Sequence, residues 1–380
     1  MCPIKCFRAV VLLALLVELD QVESRVHVFA KFFQVLVKGS PSCKSLVVQS
    51  DTNRGIDYEV YSSDTFQRVP NVENLYIVNK INTLVPGAFQ QLQQLHTLNL
   101  EENDLPELQA GDFSDLQLSI LGLSDNNISS IEAQTFANSS IDSIDLSHNR
   151  LSEIPARTLD DALLTQLSLA DNQIARIAER AFSVGLVRLD LSGNRIRDVP
   201  LTIFENLFAL RHLNVSRNKL PTLASALWLR NLEVLDASHN SIRLLFNGAF
   251  EDYPKLRDLR LDHNELLYLN PASFVKPSPI KELNLRRNML TFLPADAPEI
   301  FPNLRKLIYG GNPWSCACLV PVENFIKTAK IQTDPCEKNY FTDGKQAVCL
   351  TAYSSCFFNE TLILLEHPVM FTSLLAGYQC

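Results

Sequence analysis

Between Cys43 and Cys316 the chain has no cysteine, so no disulfide stabilises that long stretch. Glycine is sparse, 12 in 380 residues, which excludes a collagen-like or glycine-rich low-complexity chain. An excess of positive charge is also missing: 34 basic residues face 42 acidic ones, for a net charge of −8. A protein that grips a phosphate backbone needs the opposite balance, so no nucleic-acid partner is expected. After the N-terminus, no apolar run reaches the roughly 18 residues that a membrane-spanning helix needs. No transmembrane segment is therefore expected in the mature chain. Catalytic signatures are absent too. The sequence has no GxSxG, HExxH, GxxxxGK[ST] or GxGxxG, the spacings that would mark a nucleophile elbow, a zincin, a phosphate cradle or a dinucleotide fold.

What is present points to a well-folded, exported protein. Apolar residues make up 46% and charged residues 20%, enough for an extensive core and against disorder. Lys5 and Arg8 precede an unbroken apolar run from Ala9 to Val17. Nine residues cannot cross a bilayer but suit the centre of a signal peptide, so residues 1–24 read as an export signal. Four Asn-X-Ser/Thr sequons, at Asn127, Asn138, Asn214 and Asn359, agree with export as glycosylation sites. The expected location is extracellular. An apolar tail at 361–380, interrupted by Glu366 and His367, leaves a lipid anchor at the outer cell surface as the alternative.

Internal periodicity sets the architecture. The segment from Leu95 to Leu105 spells LxxLxLxxNxL, and its asparagine, Asn103, recurs in the same frame at Asn126, Asn149, Asn172, Asn194, Asn218, Asn240, Asn264, Asn288 and Asn312. Successive gaps are 23, 23, 23, 22, 24, 22, 24, 24 and 24 residues. Leu98 and Leu100 alternate with Thr97, Asn99 and Glu101, so a short strand points leucines inward and polar groups outward. The chain then turns at once, and an asparagine amide has the donors and the acceptor to satisfy backbone groups there. Leu105 and Leu108 close the coil, and Phe113 fills its back. That aromatic slot recurs at Phe89, Phe136, Phe182, Phe204, Phe250 and Phe274, with Leu159 and Leu227 as substitutes. One coil cannot bury its leucines alone, so neighbouring coils must stack. Counting back from Asn103 places Asn79 in a first repeat that is one residue short, because Leu75 and Ile77 lie too close to it.

Ten such asparagines in register resemble the extracellular leucine-rich repeat family, with repeats near 24 residues, and the run Tyr340-Phe341, Gly344, Val348-Cys349-Leu350 and Cys356 is similar to the caps of its insect members. The resemblance implies an α/β-type repeat solenoid: a horseshoe with a parallel sheet on its concave face, a convex side of irregular and short helical segments, and a cap at each end. The expected organisation is a signal peptide at 1–24, an N-terminal cap at 25–70 with a paired strand near Val26–Val37, a solenoid at 71–312, a cysteine-rich cap at 313–360 and a tail at 361–380. The run Asn312-Pro313-Trp314-Ser315-Cys316-Ala317-Cys318 looks like the start of that family's C-terminal cap. Carried over, the family's pairing implies disulfides Cys316–Cys336 and Cys318–Cys356, with Cys349 a rival for the last partner. Removing the signal peptide leaves seven cysteines, and an odd number cannot pair within one chain. A disulfide-linked dimer through Cys380 or Cys43 is the candidate outcome.

The outward strand positions are the candidate binding surface. From Thr97 to Ala170 they are mostly small and nearly neutral; later coils carry charge of both signs. Arg188, His212, Asp258, Arg260, Asp262, Glu282 and Arg286 are the candidate ligand-binding residues, against the alternative that the charges merely pair with one another. No Trp, Tyr or Phe is expected on this face. Asp145, Asp190 and Asp236 read as consensus residues of the repeat rather than ligands. His148, His239 and His263 share the slot before the ladder asparagine and read as an exposed turn position, because a metal site needs three or four converging ligands. No catalytic residue, cofactor or metal is expected. The whole reads as a secreted binding protein that recognises a protein or other macromolecule, and the resemblance implies innate immune recognition. Cell-surface adhesion is the alternative, an enzyme the remote one.

Overall fold

A computed structural model of the chain describes residues 44–49, 66, 71–78, 81–159, 162–198, 201–223 and 229–334. The signal peptide, the Val26–Val37 strand, Cys43, Asn79, Leu227, Cys336, Cys349, Cys356, Asn359 and the tail with Cys380 all lie outside the described residues. Two compact units are present, Met1–Asp190 and Leu191–Cys380. Each is a stack of coils with parallel strands and few helices, the repeat solenoid that the spacing predicts.

In the first unit the strands are β1 (Ser45–Gln49), β2 (Asn74–Val78), β3 (Thr97–Asn99), β4 (Gln117–Gly122), β5 (Ser140–Asp145), β6 (Glu153–Ile154), β7 (Gln166–Ser168), β8 (Arg176–Ile177) and β9 (Arg188–Asp190). Strands β1-β2-β3-β4-β5-β7-β9 lie side by side, all parallel. The register aligns Leu75, Leu98 and Leu121, then Ile144, Leu167 and Leu189, one inward residue per coil. These six side chains are buried. On another side of the coils, β6 pairs with β8, and Leu108 bridges to Ile131. Leu108, Ile131, Ile154 and Ile177 thus form the second apolar row that closes each coil.

Two features of this unit exceed what the repeat pattern foretells. Strand β1 lies within the stretch assigned to the cap, yet it pairs in parallel with β2 as one more rung of the ladder. Phe66 is buried and stacks on Phe89 at 5.9 Å, followed by Phe89–Phe113 at 6.4 Å and Phe113–Phe136 at 5.7 Å. The aromatic spine therefore starts one coil earlier than Phe89. Leu159 then takes the slot, fully buried, and the ring stack stops there.

The second unit holds β10 (His212–Asn214), β11 (Val234–Asp236), β12 (Asp258–Arg260), β13 (Glu282–Asn284) and β14 (Lys306–Ile308), again parallel and in sequential order. Its helical pieces are short 3-10 turns at Leu201–Phe204 and Pro271–Ser273, and helix α1 (Ala297–Ile300). Phe250, Phe274 and Phe301 continue an aromatic row at 5.0 Å per step. Helix α2 (Cys316–Ala329) follows the last coil. It begins after Trp314, whose indole N–H donates to the Tyr309 carbonyl at 3.1 Å. It ends at Lys330, in the left-handed conformation. Beyond it Gln332 pairs with Lys306: Leu307 donates to the Gln332 carbonyl at 2.9 Å, and Gln332 to the Arg305 carbonyl at 2.8 Å. The exposed edge of β14 is thereby covered, which removes a template for unwanted strand pairing. Cys316 and Cys318 are both disulfide-bonded.

The asparagine row supplies the internal polar wiring of both units. Each described ladder residue, Asn103, Asn126, Asn149 and Asn172 in the first and Asn194, Asn218, Asn240, Asn264, Asn288 and Asn312 in the second, is buried to 3–8% exposure. Asn126 is representative: its Oδ1 accepts from Leu105 N–H of the coil before at 3.1 Å, while its Nδ2 donates to the carbonyls of Leu100 and Leu123. One side chain thus satisfies groups of two coils. The residue just before each of these ten has a positive φ, Glu102 at 55° and Gly311 at 73° among them. Glu, Asp, His, Arg and Gly fill that slot in these ten coils and no β-branched residue does, because a branched Cβ is strained there. The shared position of His148, His239 and His263 is therefore a left-handed turn.

Candidate functional site

The polar strand face of the second unit is the candidate site. Asp236, Asp258, Arg260, Asp262, Glu282, Asn284 and Lys306, over Leu283, line a shallow depression of about 340 Å³. Alternation puts them there: the leucine of each strand points in, so its neighbours point out. Four of the candidate residues, Asp258, Arg260, Asp262 and Glu282, come together in this depression. His212 is half-buried on β10, and Arg286 is held elsewhere, with Nη1 at 3.4 Å from Asp334 Oδ2. Arg188 is exposed on β9 of the first unit.

Within the depression four carboxylates, Asp236, Asp258, Asp262 and Glu282, meet two cations, Arg260 and Lys306. Arg260 Nη2 lies 2.8 Å from Asp258 Oδ2 and its Nη1 3.5 Å from Asp236 Oδ2. The hydrogen bond to Asp258, chiefly, raises the Arg260 pKa above its ordinary value. Lys306 Nζ is 3.8 Å from Glu282 Oε2. Asn284 Nδ2 donates to Asp262 Oδ1 at 2.7 Å. Nearby, Glu233 is gripped by both Arg211, at 3.2 Å, and Arg257. A face of this kind is pre-ordered: its side chains are held by one another before any ligand arrives. It offers carboxylates, a guanidinium, an ammonium and an amide in fixed positions, suited to a polar partner with charges of both signs.

The consensus residues have a local task. Asn99, Asp145, Asn214, Asp236 and Asn284 each accept from the N–H two residues on, at 2.9–3.1 Å. These Asx turns bend the chain out of the strand. Asn214 thus carries both a sequon and a turn. Of the other sequons, Asn127 Nδ2 donates to Asp104 Oδ1 at 3.1 Å, and Asn138 sits in a positive-φ turn. One expectation is overturned. Tyr76 lies on the strand face of the first unit, half-exposed and paired in register with Asn99, so that face does hold an aromatic ring. The irregular first repeat hid it, because its strand was not aligned with the others.

A second cluster lies beside the depression. The rings of His239 and His263 stack 4.0 Å apart at an angle of 12°, and His263 Nδ1 is 2.9 Å from Asp262 Oδ2. Partial burial, and next the ring of His263, lower the His239 pKa below the ordinary histidine value.

The chain matches two models of leucine-rich repeats: the BspA type leucine rich repeat region, in six copies over residues 59–186, and the leucine rich repeat over 184–242, 224–266 and 254–313. It belongs to the leucine-rich repeat proteins, which serve as binding scaffolds in protein recognition. Among solved structures it resembles a chain from the octameric complex of Latrophilin 3, Unc5D and the FLRT2 leucine-rich repeats, at 23% identity and a TM-score of 0.62, over 70% of this chain and 84% of that one. It resembles the Toll–Spatzle complex of Drosophila at 22% identity and a TM-score of 0.62, over 74% of this chain but only 42% of that one. The leucine-rich repeat domain of APL1B matches at 20% identity and a TM-score of 0.57, over 89% and 95%. No curated protein matches the sequence. Among the described residues no helix is long and apolar enough to cross a membrane.

Proposed function

We propose that the protein is a secreted recognition protein that binds another protein through the strand face of its second unit, in innate immune recognition. The observation that carries this reading is the depression over Leu283. There Asp258, Arg260, Asp262, Glu282 and Lys306 are set at fixed positions by mutual ion pairs and hydrogen bonds. Preordered charge of both signs reduces the ordering cost of association and selects a partner of complementary pattern. The immune context is supported by the Toll–Spatzle complex, described as a hub in development and innate immunity. Export is supported by the leader and sequons in the sequence.

The test is affinity capture from the native extracellular fluid with the tagged chain and, in parallel, with a variant carrying Arg260→Ala and Glu282→Ala. Both positions are solvent-facing, so the variant should keep the wild-type melting profile. A partner retained by the wild type and lost by the variant supports the reading. Equal recovery by both removes the strand face from it, and a chain held inside the producing cells removes secretion.

A further inference from the structure

His239, Asp262 and His263 bring together one donor atom each within 4.8 Å of one another. The repeat itself builds this juxtaposition. His239 and His263 occupy the same left-handed turn slot in consecutive coils, with φ of 53° and 54°. Backbone bonds fix that turn: His239 N–H donates to the Asp262 carbonyl at 2.8 Å, and His263 N–H to the Arg286 carbonyl at 2.8 Å. Set on matching backbones one coil apart, the two rings lie nearly parallel, 4.0 Å apart. Asp262 is the third member because it precedes His263 directly. Its Oδ1 is held by the Asn284 amide at 2.7 Å, which leaves Oδ2 facing His263 at 2.9 Å.

We propose that His239, His263 and Asp262 form a binding site for one divalent transition-metal ion of the zinc class. Two imidazoles and a carboxylate are a donor set that zinc accepts. Zinc–donor distances of about 2.0–2.2 Å place two donors of a tetrahedral site roughly 3.3 Å apart. The Asp262–His263 pair already stands near that separation. His239, exposed at the edge of the pair, closes the remaining gap by rotation of its own side chain. The Asn284 amide on Asp262 plays the part of an outer hydrogen bond that orients a metal-binding carboxylate. Asp236 and Arg217 also lie near His239, so the surrounding charge is close to balanced and does not repel a cation. Three protein donors leave a fourth position open to water or to a donor from a bound partner. Spacing alone brings two histidines together; the fold adds Asp262 as a third donor.

The test uses the intact chain, with cysteines alkylated under native conditions, titrated with Co²⁺ and then with Zn²⁺ alone. The wild type should take up one equivalent more Co²⁺ than His239→Ala, with visible absorption of tetrahedral strength that Zn²⁺ then displaces. Asp262→Asn, which replaces an anionic donor with a neutral amide, should weaken binding by at least the roughly 10–100-fold that loss of an outer partner costs. His239 is exposed, so His239→Ala should melt like the wild type without metal and decides the matter even where Asp262→Asn folds poorly. Equal uptake by the wild type and His239→Ala, or only the weak spectrum of hydrated cobalt in both, overturns the proposal.

Discussion

Arg286 on the strand face and Asp334 beyond helix α2 are joined by an ion pair of 3.4 Å across 48 residues of chain. Both side chains are about three-quarters covered. The pair ties the segment that covers the edge of β14 to the coil of β13. Arg286 thus has a structural partner outside the depression. A double-mutant cycle with Arg286→Ala and Asp334→Ala, followed by urea denaturation, should return a coupling of about 0.2–1 kcal/mol, the ordinary worth of such a pair. Arg286→Ala alone should leave capture of the partner intact, unlike a change at Arg260.

Asn264 tests the ladder. Its Oδ1 accepts from Ile242 N–H at 3.0 Å, and its Nδ2 donates to the Ala237 and Leu261 carbonyls at 3.0 Å each. Alanine leaves these buried groups without partners, and each such group costs about 1–3 kcal/mol. Asn264→Ala should thus shift the urea midpoint strongly downward. A shift no larger than that of a surface substitution would show that water enters and replaces the amide.

The repeat was legible because its physics is periodic. Inward leucines such as Leu98, Leu121 and Leu259 and the ladder asparagines recur at near-constant spacing, and each is buried where the pattern puts it. What was not legible depends on departures from the period. Phe66 lies 23 residues before Phe89 and carried the right spacing, but no asparagine or strand signal framed it. Tyr76 fell in the shortened coil. Register there shows where the missing residue belongs: Leu75 still pairs with Leu98, and Asn103 still donates to the Ile77 carbonyl at 2.7 Å. The deletion therefore follows the strand and leaves the strand itself intact. At the site, alternation names the outward residues and allows them to pair, but it does not say which charge meets which. Side-chain direction within one face, such as Arg260 reaching toward both Asp258 and Asp236, is set by torsions that spacing does not encode.

Glu102 offers a test of the turn slot. It is exposed, with φ of 55°, where side chains other than glycine are strained. Gly193 and Gly311 fill the equivalent slot in other coils at 68° and 73°. Glu102→Gly should hold or raise stability, whereas Glu102→Val should lower it, because a branched Cβ adds strain to the left-handed backbone that Glu102 already bears. Thermal melts of the two variants side by side check this. Equal melting temperatures would show that the turn relaxes freely.

Asp112 should make the stability of the fold depend on pH. It is 3% exposed, its Oδ2 accepts from Gln109 N–H at 2.7 Å, and its Oδ1 is a buried oxygen with no hydrogen-bond partner. Burial, chiefly, raises its pKa to about 6 from 3.8; the Gln109 bond opposes that rise, and Glu132 and Glu107 add to it. A folded pKa above the unfolded one means that the native state holds the proton more tightly. The associated stability is full below about 3.8 and is lost as the pH rises through about 6. Asp112→Asn cannot ionise and so escapes that loss. Relative to the wild type, the variant should therefore gain in stability between pH 4 and pH 7 and hold constant above, whatever the fixed cost of the amide. Urea midpoints for both proteins across that range measure the difference. A difference that does not change with pH would mean that Asp112 is ionised in the native state throughout, with water reaching Oδ1.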